Sequence, residues 1–135
     1  MTSAFERLTG VDKPLIAEPP DADEIAGLLR SARARLLDAG NPQLALESRF
    51  DLAYNAAHAL CLAALRRCGY RARHRYVVFQ LLPHTLGLGP EVWRVLAKAH
   101  DARNLAEYEG HVDVKERLVL DLVAACATVS AKFAD

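Results

Sequence analysis

The sequence predicts an all-α fold, a four- to five-helix up-and-down bundle with short connections and antiparallel neighbours. Three observations lead there. Apolar residues recur at three- and four-residue intervals through most of the chain, the period of a buried helix face. Helix start and stop residues stand at the ends of those stripes. No stretch alternates with period two, no hairpin turn signal occurs, and the chain has no internal repeat. The composition agrees: 52% of the 135 residues are hydrophobic, 7% are aromatic, and Ala, Leu and Val supply most of the apolar content. That length suits one domain with a packed core.

Residues 1–20 read as an N-terminal extension, because Pro14, Pro19 and Pro20 interrupt any helix and the apolar residues show no period. The bundle then occupies residues 21–135. Asp21 and Glu24 form a capping box ahead of a stripe made by Ile25, Leu28, Leu29, Ala32, Leu36 and Leu37, with Gly40 as a left-handed stop. Asn41-Pro42 supplies an N-cap and first-turn proline for a long second helix running to about Cys68, with Gly69 as its stop. Leu46, Phe50, Ala53, Ala57, Leu60 or Cys61, and Ala64 stripe its buried side. A third, shorter helix is expected from about His74 to Leu82, ending near Pro83 or Gly87. Gly89-Pro90 opens a fourth, striped by Val92, Val95, Leu96, Ala99 and Ala106 and closed by Glu109-Gly110. Asp113 and Glu116 make a second capping box, for a fifth helix striped by Leu118, Leu122, Ala125, Val129 and Phe133.

The three cysteines, Cys61, Cys68 and Cys126, include no Cys-x-x-Cys pair, which argues against a disulfide scaffold or a zinc knuckle. Cys61 and Cys68 are expected to be small buried hydrophobes. The five histidines lack metal-ligand spacing, so neither metal nor cofactor is expected. No apolar run is long enough to span a membrane, and Met1–Gly10 carries no secretory core, so a reducing, cytoplasmic setting is expected.

The formal net charge is zero, which excludes a whole-surface polyelectrolyte binder. The charge is nevertheless segregated. Residues 1–29 sum to −4, residues 30–75 to +6 and residues 76–135 to −2. If the fold groups the arginine-rich joint at residues 66–76 with Arg103, a phosphate-binding cleft is expected, with the acidic residues 1–29 shielding that cleft or facing a partner.

Three features could carry chemistry. In the second helix Ser48, Asp51, Asn55 and His58 fall on one face; they suit either a polar groove wall or the solvated edge of an amphipathic helix. In the fourth helix His100, Arg103, Asn104 and Glu107 share a face. There Arg103 could bind phosphate bidentately with an imidazole or carboxylate as base, or simply pair with Glu107 at i,i+4. Between the second and third helices lies a basic joint, Arg66, Arg67, Tyr70, Arg71, Arg73, His74, Arg75 and Tyr76. It has five arginines and two tyrosines in eleven residues, a mixture suited to phosphate contact with base stacking.

The segment Ser48-Arg49-Phe50-Asp51-Leu52-Ala53-Tyr54-Asn55-Ala56-Ala57-His58-Ala59-Leu60 resembles the second helix of HEPN domains, which is aromatic and alanine-rich after a Ser-Arg opening. Gly69-Tyr70 through His74-Arg75 is similar to the turn into their third helix. Asp101 through Gly110 is similar to their fourth, with its Arg-Asn-x-x-x-Tyr or Arg-Asn-x-x-x-His ending. The likeness in helix order and length covers residues 21–135. It implies a bundle that forms a homodimer by pairing two fourth helices around a shared cleft. Many such proteins are metal-independent ribonucleases in toxin–antitoxin or defence systems, often beside a small nucleotidyltransferase that neutralises them.

The family motif, an arginine followed after four to six residues by a histidine, maps here onto Arg103, Asn104 and Tyr108, with tyrosine where histidine is usual. A phenol with a pKa of about 10 is a poor base at neutral pH. The resemblance therefore implies a dimeric nucleotide- or RNA-binding protein, weak or inactive as a nuclease, acting with a partner. The alternatives are an active ribonuclease toxin using His100 or His111 as base, and a non-catalytic interaction module.

Overall fold

The computed structural model describes residues 3–111 and 113–133. Its elements are α1 (Ala4–Leu8), β1 (Leu15–Ala17), α2 (Ala22–Ala39), α3 (Leu46–Arg67), β2 (Tyr70–Ala72), α4 (Arg75–Gln80), α5 (Leu82–Thr85), α6 (Pro90–Glu109) and α7 (Glu116–Ala131). The chain is all-α apart from one two-stranded sheet among the described residues. None of the described helices is long and apolar enough to cross a membrane.

α3 is the centre. Its alanines at 53, 56, 57, 59, 63 and 64 are all buried, and their small side chains let α2, α7, α6, α4, α5 and β2 pack directly against it. Phe50, Leu60, Leu65, Phe79, Leu82, Leu96, Val119 and Leu122 fill the remaining core. Cys61 and Cys126 are part of it. Burial pushes the Cys61 thiol well up and the Cys126 thiol up to about 12, so both behave as hydrophobes. Cys68 is exposed instead, because it lies at the C-cap of α3, where the buried face ends.

Several local signals resolve differently from their sequence reading. The Asp21 carboxylate does cap α2, accepting from the backbone N–H groups of Asp23 and Glu24 at 3.0 and 3.2 Å. Glu24 does not close the box, because it is drawn to two arginines. Gly40 has φ −80° and is right-handed, so its place needs no glycine. Asn41 accepts from the Gln43 N–H at 2.9 Å and shapes a turn, and α3 begins only at Leu46. The third helix is two, broken at Leu81, where Pro83 falls in the first turn of α5. Gly110, at φ +80°, does stop α6 in the left-handed region. The second capping box does not form: the N-cap of α7 is Lys115, without a side-chain bond.

The largest correction concerns the N-terminus. Residues 3–20 are not independent of the bundle, since β1, Phe5, Leu8, Leu15 and Glu18 tie them to it. β1 pairs antiparallel with β2, Leu15 opposite Ala72 and Ala17 opposite Tyr70. Leu15 is fully buried, and the Phe5 ring stacks on Tyr70 with centroids 4.9 Å apart. A three-residue strand is too short to display a period, which is why the sequence pattern did not reveal it.

An arginine cluster fastens this segment down. Arg66, 1% exposed, reaches Glu24 Oε1 through Nε at 2.6 Å. Its other nitrogens donate to the carbonyls of Glu18 at 2.9 Å, Pro19 at 2.7 Å and Tyr70 at 3.3 Å. Arg71 lies beside it and bonds Glu18 Oε2 at 2.7 Å and Glu24 Oε2 at 2.7 Å. Hydrogen bonds from Arg71 hold the Glu18 carboxyl below its ordinary 4.5, and those from Arg66 and Arg71 do the same for Glu24. A depressed carboxylate stabilises the fold fully above its unfolded value, and that contribution is lost as pH falls through the lower folded value. Resistance to urea is therefore expected to fall as pH drops below about 4.5. The double variant Glu18→Gln, Glu24→Gln is expected to show a shallower pH dependence between 5 and 3 than the parent; an unchanged slope would remove the two carboxylates as its source.

Candidate functional site

The basic joint divides. Arg66 is buried and Arg71 half-buried, both neutralised by Glu18 and Glu24, so neither offers a free guanidinium to a phosphate. Of the acidic residues 1–29, Glu18 and Glu24 thus neutralise Arg66 and Arg71 and form no ion pair with Arg73, Arg75 or Arg103. Arg67 lies over the Phe133 ring, 4.6 Å from its centroid, and is spent on packing α3 against the end of the chain. Arg73 and Arg75 are exposed. Neither they nor Arg103 have a carboxylate within ion-pair distance among the described residues, so the Arg103–Glu107 pair that the spacing allowed is not formed.

The second-helix line divides as well. Asp51 is exposed, and Asn55 donates to the Asp51 carbonyl at 2.8 Å, satisfied within its own helix. His58 is half-buried, edge-on to the Phe79 ring at 6.3 Å. Burial, helped by Arg75, lowers its pKa to about 4, so it is neutral at pH 7. It opens onto a cavity of about 190 Å³ whose rim includes Arg73, His74 and Arg75.

The fold brings His100, Arg103 and Asn104 of α6 against α3 and α4, around a residue the spacing did not single out. Tyr54, buried in α3, places its hydroxyl 3.0 Å from His100 Nδ1. Asn104 Nδ2 lies 3.1 Å from His100 Nε2. With the amide as donor, Nε2 is the acceptor, the ring proton sits on Nδ1, and Nδ1–H donates to Tyr54 Oη. Tyr76 stacks on the same imidazole at 4.6 Å and 16°, and the Arg103 guanidinium lies over the Tyr54 ring at 5.1 Å. Phe79 closes the floor, edge-on to Tyr54 and to His100.

The electrostatics follow from that crowding. Burial raises the Tyr54 hydroxyl above its ordinary value, against the pull of Arg75 and Arg103. Burial also holds His100 below its ordinary value; Arg103 and Arg75 add to this, and Asp101 opposes it. The imidazole is therefore a neutral ring fixed in one tautomer. Its one basic lone pair, on Nε2, is at the solvent edge beneath an exposed amide. Two guanidiniums without a carboxylate partner among the described residues, Arg75 hydrogen-bonded to Tyr54 and Arg103 over its ring, and a stacked aromatic surface face an anion with π-faces.

Tyr108 does not join this site. It is 90% exposed and five residues after Arg103, hence about 140° round the helix from it. His111 lies beyond Gly110, exposed, with Nδ1 against the Glu109 carbonyl at 3.3 Å. Among the described residues no three His, Cys, Asp or Glu side chains gather as a metal would require. Compared with known proteins, the chain matches no family model, no curated protein and no solved structure.

Proposed function

We propose that this chain is a HEPN-like, dimeric RNA- or nucleotide-binding protein, weak or inactive as a nuclease, that acts with a partner of the nucleotidyltransferase type in the cytoplasm. The observation that carries the reading is the convergence of Arg75 and Arg103 on the Tyr54–His100 pair, with Asp101 and Glu107 near the pair but no carboxylate within ion-pair distance of either arginine among the described residues. Unpaired arginines beside stacked aromatic rings recognise a phosphate chain and tolerate any base. The dimer is supported by Leu105 and Tyr108, 56% and 90% exposed on the last turns of α6.

The test is titration of a labelled structured RNA in excess chelator at increasing salt. Binding is expected to weaken steeply with salt, and Arg75→Ala or Arg103→Ala is each expected to flatten the log–log salt slope by about one. Arg73→Ala acts in the same direction, whereas Arg71→Ala reports on folding. Binding that ignores salt, or none at all, sinks the reading and leaves an interaction module. A monomer at micromolar concentration in sedimentation sinks the dimer. An active, metal-independent ribonuclease is the second reading, favoured by the oriented neutral imidazole of His100. Chelator-resistant cleavage abolished by both His100→Ala and Arg103→Ala would establish it.

A further inference from the structure

Tyr76 and Gln80 are four apart on α4 and therefore share one face. Trp93 and His100 are seven apart on α6 and share one as well. The two faces meet: Tyr76 stacks on His100, and Tyr76, Gln80, Pro83 and Trp93 together line an open slot of about 270 Å³. That is smaller than the roughly 300–1,000 Å³ of a complete small-molecule site and suits a single planar ring system.

Four features define what the slot can hold. It has two aromatic walls, and His100 occupies only one face of Tyr76. Its amide, Gln80, is exposed and makes no hydrogen bond among the described residues, so it can both donate and accept. No acidic residue lines it. One cation flanks it: the Arg94 guanidinium sits 5.8 Å from the Trp93 ring. π-surface and one bifunctional edge reader suit the two recognition features of a nucleobase, its face and its edge, and the positive charge at the rim suits a phosphate.

We propose that the Tyr76–Gln80–Trp93 slot is a nucleobase subsite, in which the base stacks on the aromatic walls and Gln80 hydrogen-bonds its edge. The proposal deepens the RNA-binding reading and rests on it for its natural ligand, but the slot can be tested alone. Trp93 is the chain's one tryptophan, so its emission reports the site directly.

Adenosine 5′-monophosphate and adenosine are expected to quench Trp93 fluorescence saturably, the monophosphate at lower concentration. Ribose 5-phosphate, which has no base, is expected to leave it unchanged. Tyr76→Leu keeps an apolar contact with His100 but removes the π-face, and is expected to weaken binding about 5- to 100-fold. Gln80→Ala, at an exposed position, is expected to reduce the difference between adenosine and uridine. Equal quenching by ribose 5-phosphate, or no quenching by either adenine compound, overturns the subsite. A salt-sensitive RNA complex with unchanged Trp93 emission overturns it while leaving the RNA reading intact. Quenching by adenosine without RNA binding upholds it and removes the RNA reading.

Discussion

Arg66→Ala is expected to cost about 3–5 kcal/mol of stability, the range for removing one partner of a buried ion pair. The loss goes beyond charge. Arg66 donates to the carbonyls of Glu18, Pro19 and Tyr70 as well as to Glu24, so one substitution takes this donor from three backbone acceptors and leaves the Glu24 carboxylate with Arg71 alone. Arg66→Met, which restores apolar volume, is expected to recover little, because it returns none of those hydrogen bonds. Arg66→Lys is expected to fall between, since an ammonium supplies three donors from one point where the guanidinium spreads five across a plane. Denaturant titration with an unchanged m-value checks this, and a loss under about 1 kcal/mol for Arg66→Ala would refute the account. A loss in the expected range lowers Tm by on the order of 10–20 °C.

The second large effect is at Tyr54, which belongs to the core and to the site at once. Tyr54→Ala is expected to cost about 3–5 kcal/mol, as for other large aromatic truncations, because the ring touches Phe50, Phe79, His100 and Arg103. Tyr54→Phe keeps the ring and removes the hydroxyl, which is the acceptor of His100 Nδ1–H and a hydrogen-bond partner of Arg75. It is expected to cost about 1 kcal/mol. Its specific signature is in the imidazole: nitrogen chemical shifts are expected to show a mixture of tautomers where the parent has the Nδ1–H form. A parent already mixed between tautomers would refute the assigned bond.

Much of the helical framework was legible in the sequence because helix signals are local. Asp21, Gly69, Gly89-Pro90 and Gly110 each act on residues within one turn, and each marks the boundary it was expected to mark. Asn41 and Asp113 carried the same kind of signal and failed, because a short polar side chain stabilises an isolated turn as readily as a helix start. The site was half legible. His100, Arg103 and Asn104 share a face by spacing, but Tyr54 and Tyr76 join them only through the packing of α3 and α4 on α6. The five arginines of the joint looked equivalent in sequence. Their separation into buried, stacked and free members depends on Glu18, Glu24 and Phe133, each more than forty residues away, and no local pattern encodes such a pairing.

The clasp at Arg66 also sets an order of events. α2 and α3 are joined by a short turn and can form as a hairpin with little loop entropy to overcome. The bonds that hold residues 18–24 to residues 66–71 span 42 to 53 positions, and they close a long loop. Such contacts are expected to form after the hairpin, on the native side of the folding barrier. Weakening them is therefore expected to accelerate unfolding while leaving the refolding rate nearly unchanged. The N-terminal strand then works as a latch: it governs how long the folded molecule survives more than how fast it is made, and a protease that cuts within residues 10–14 would shorten that lifetime without touching the helices.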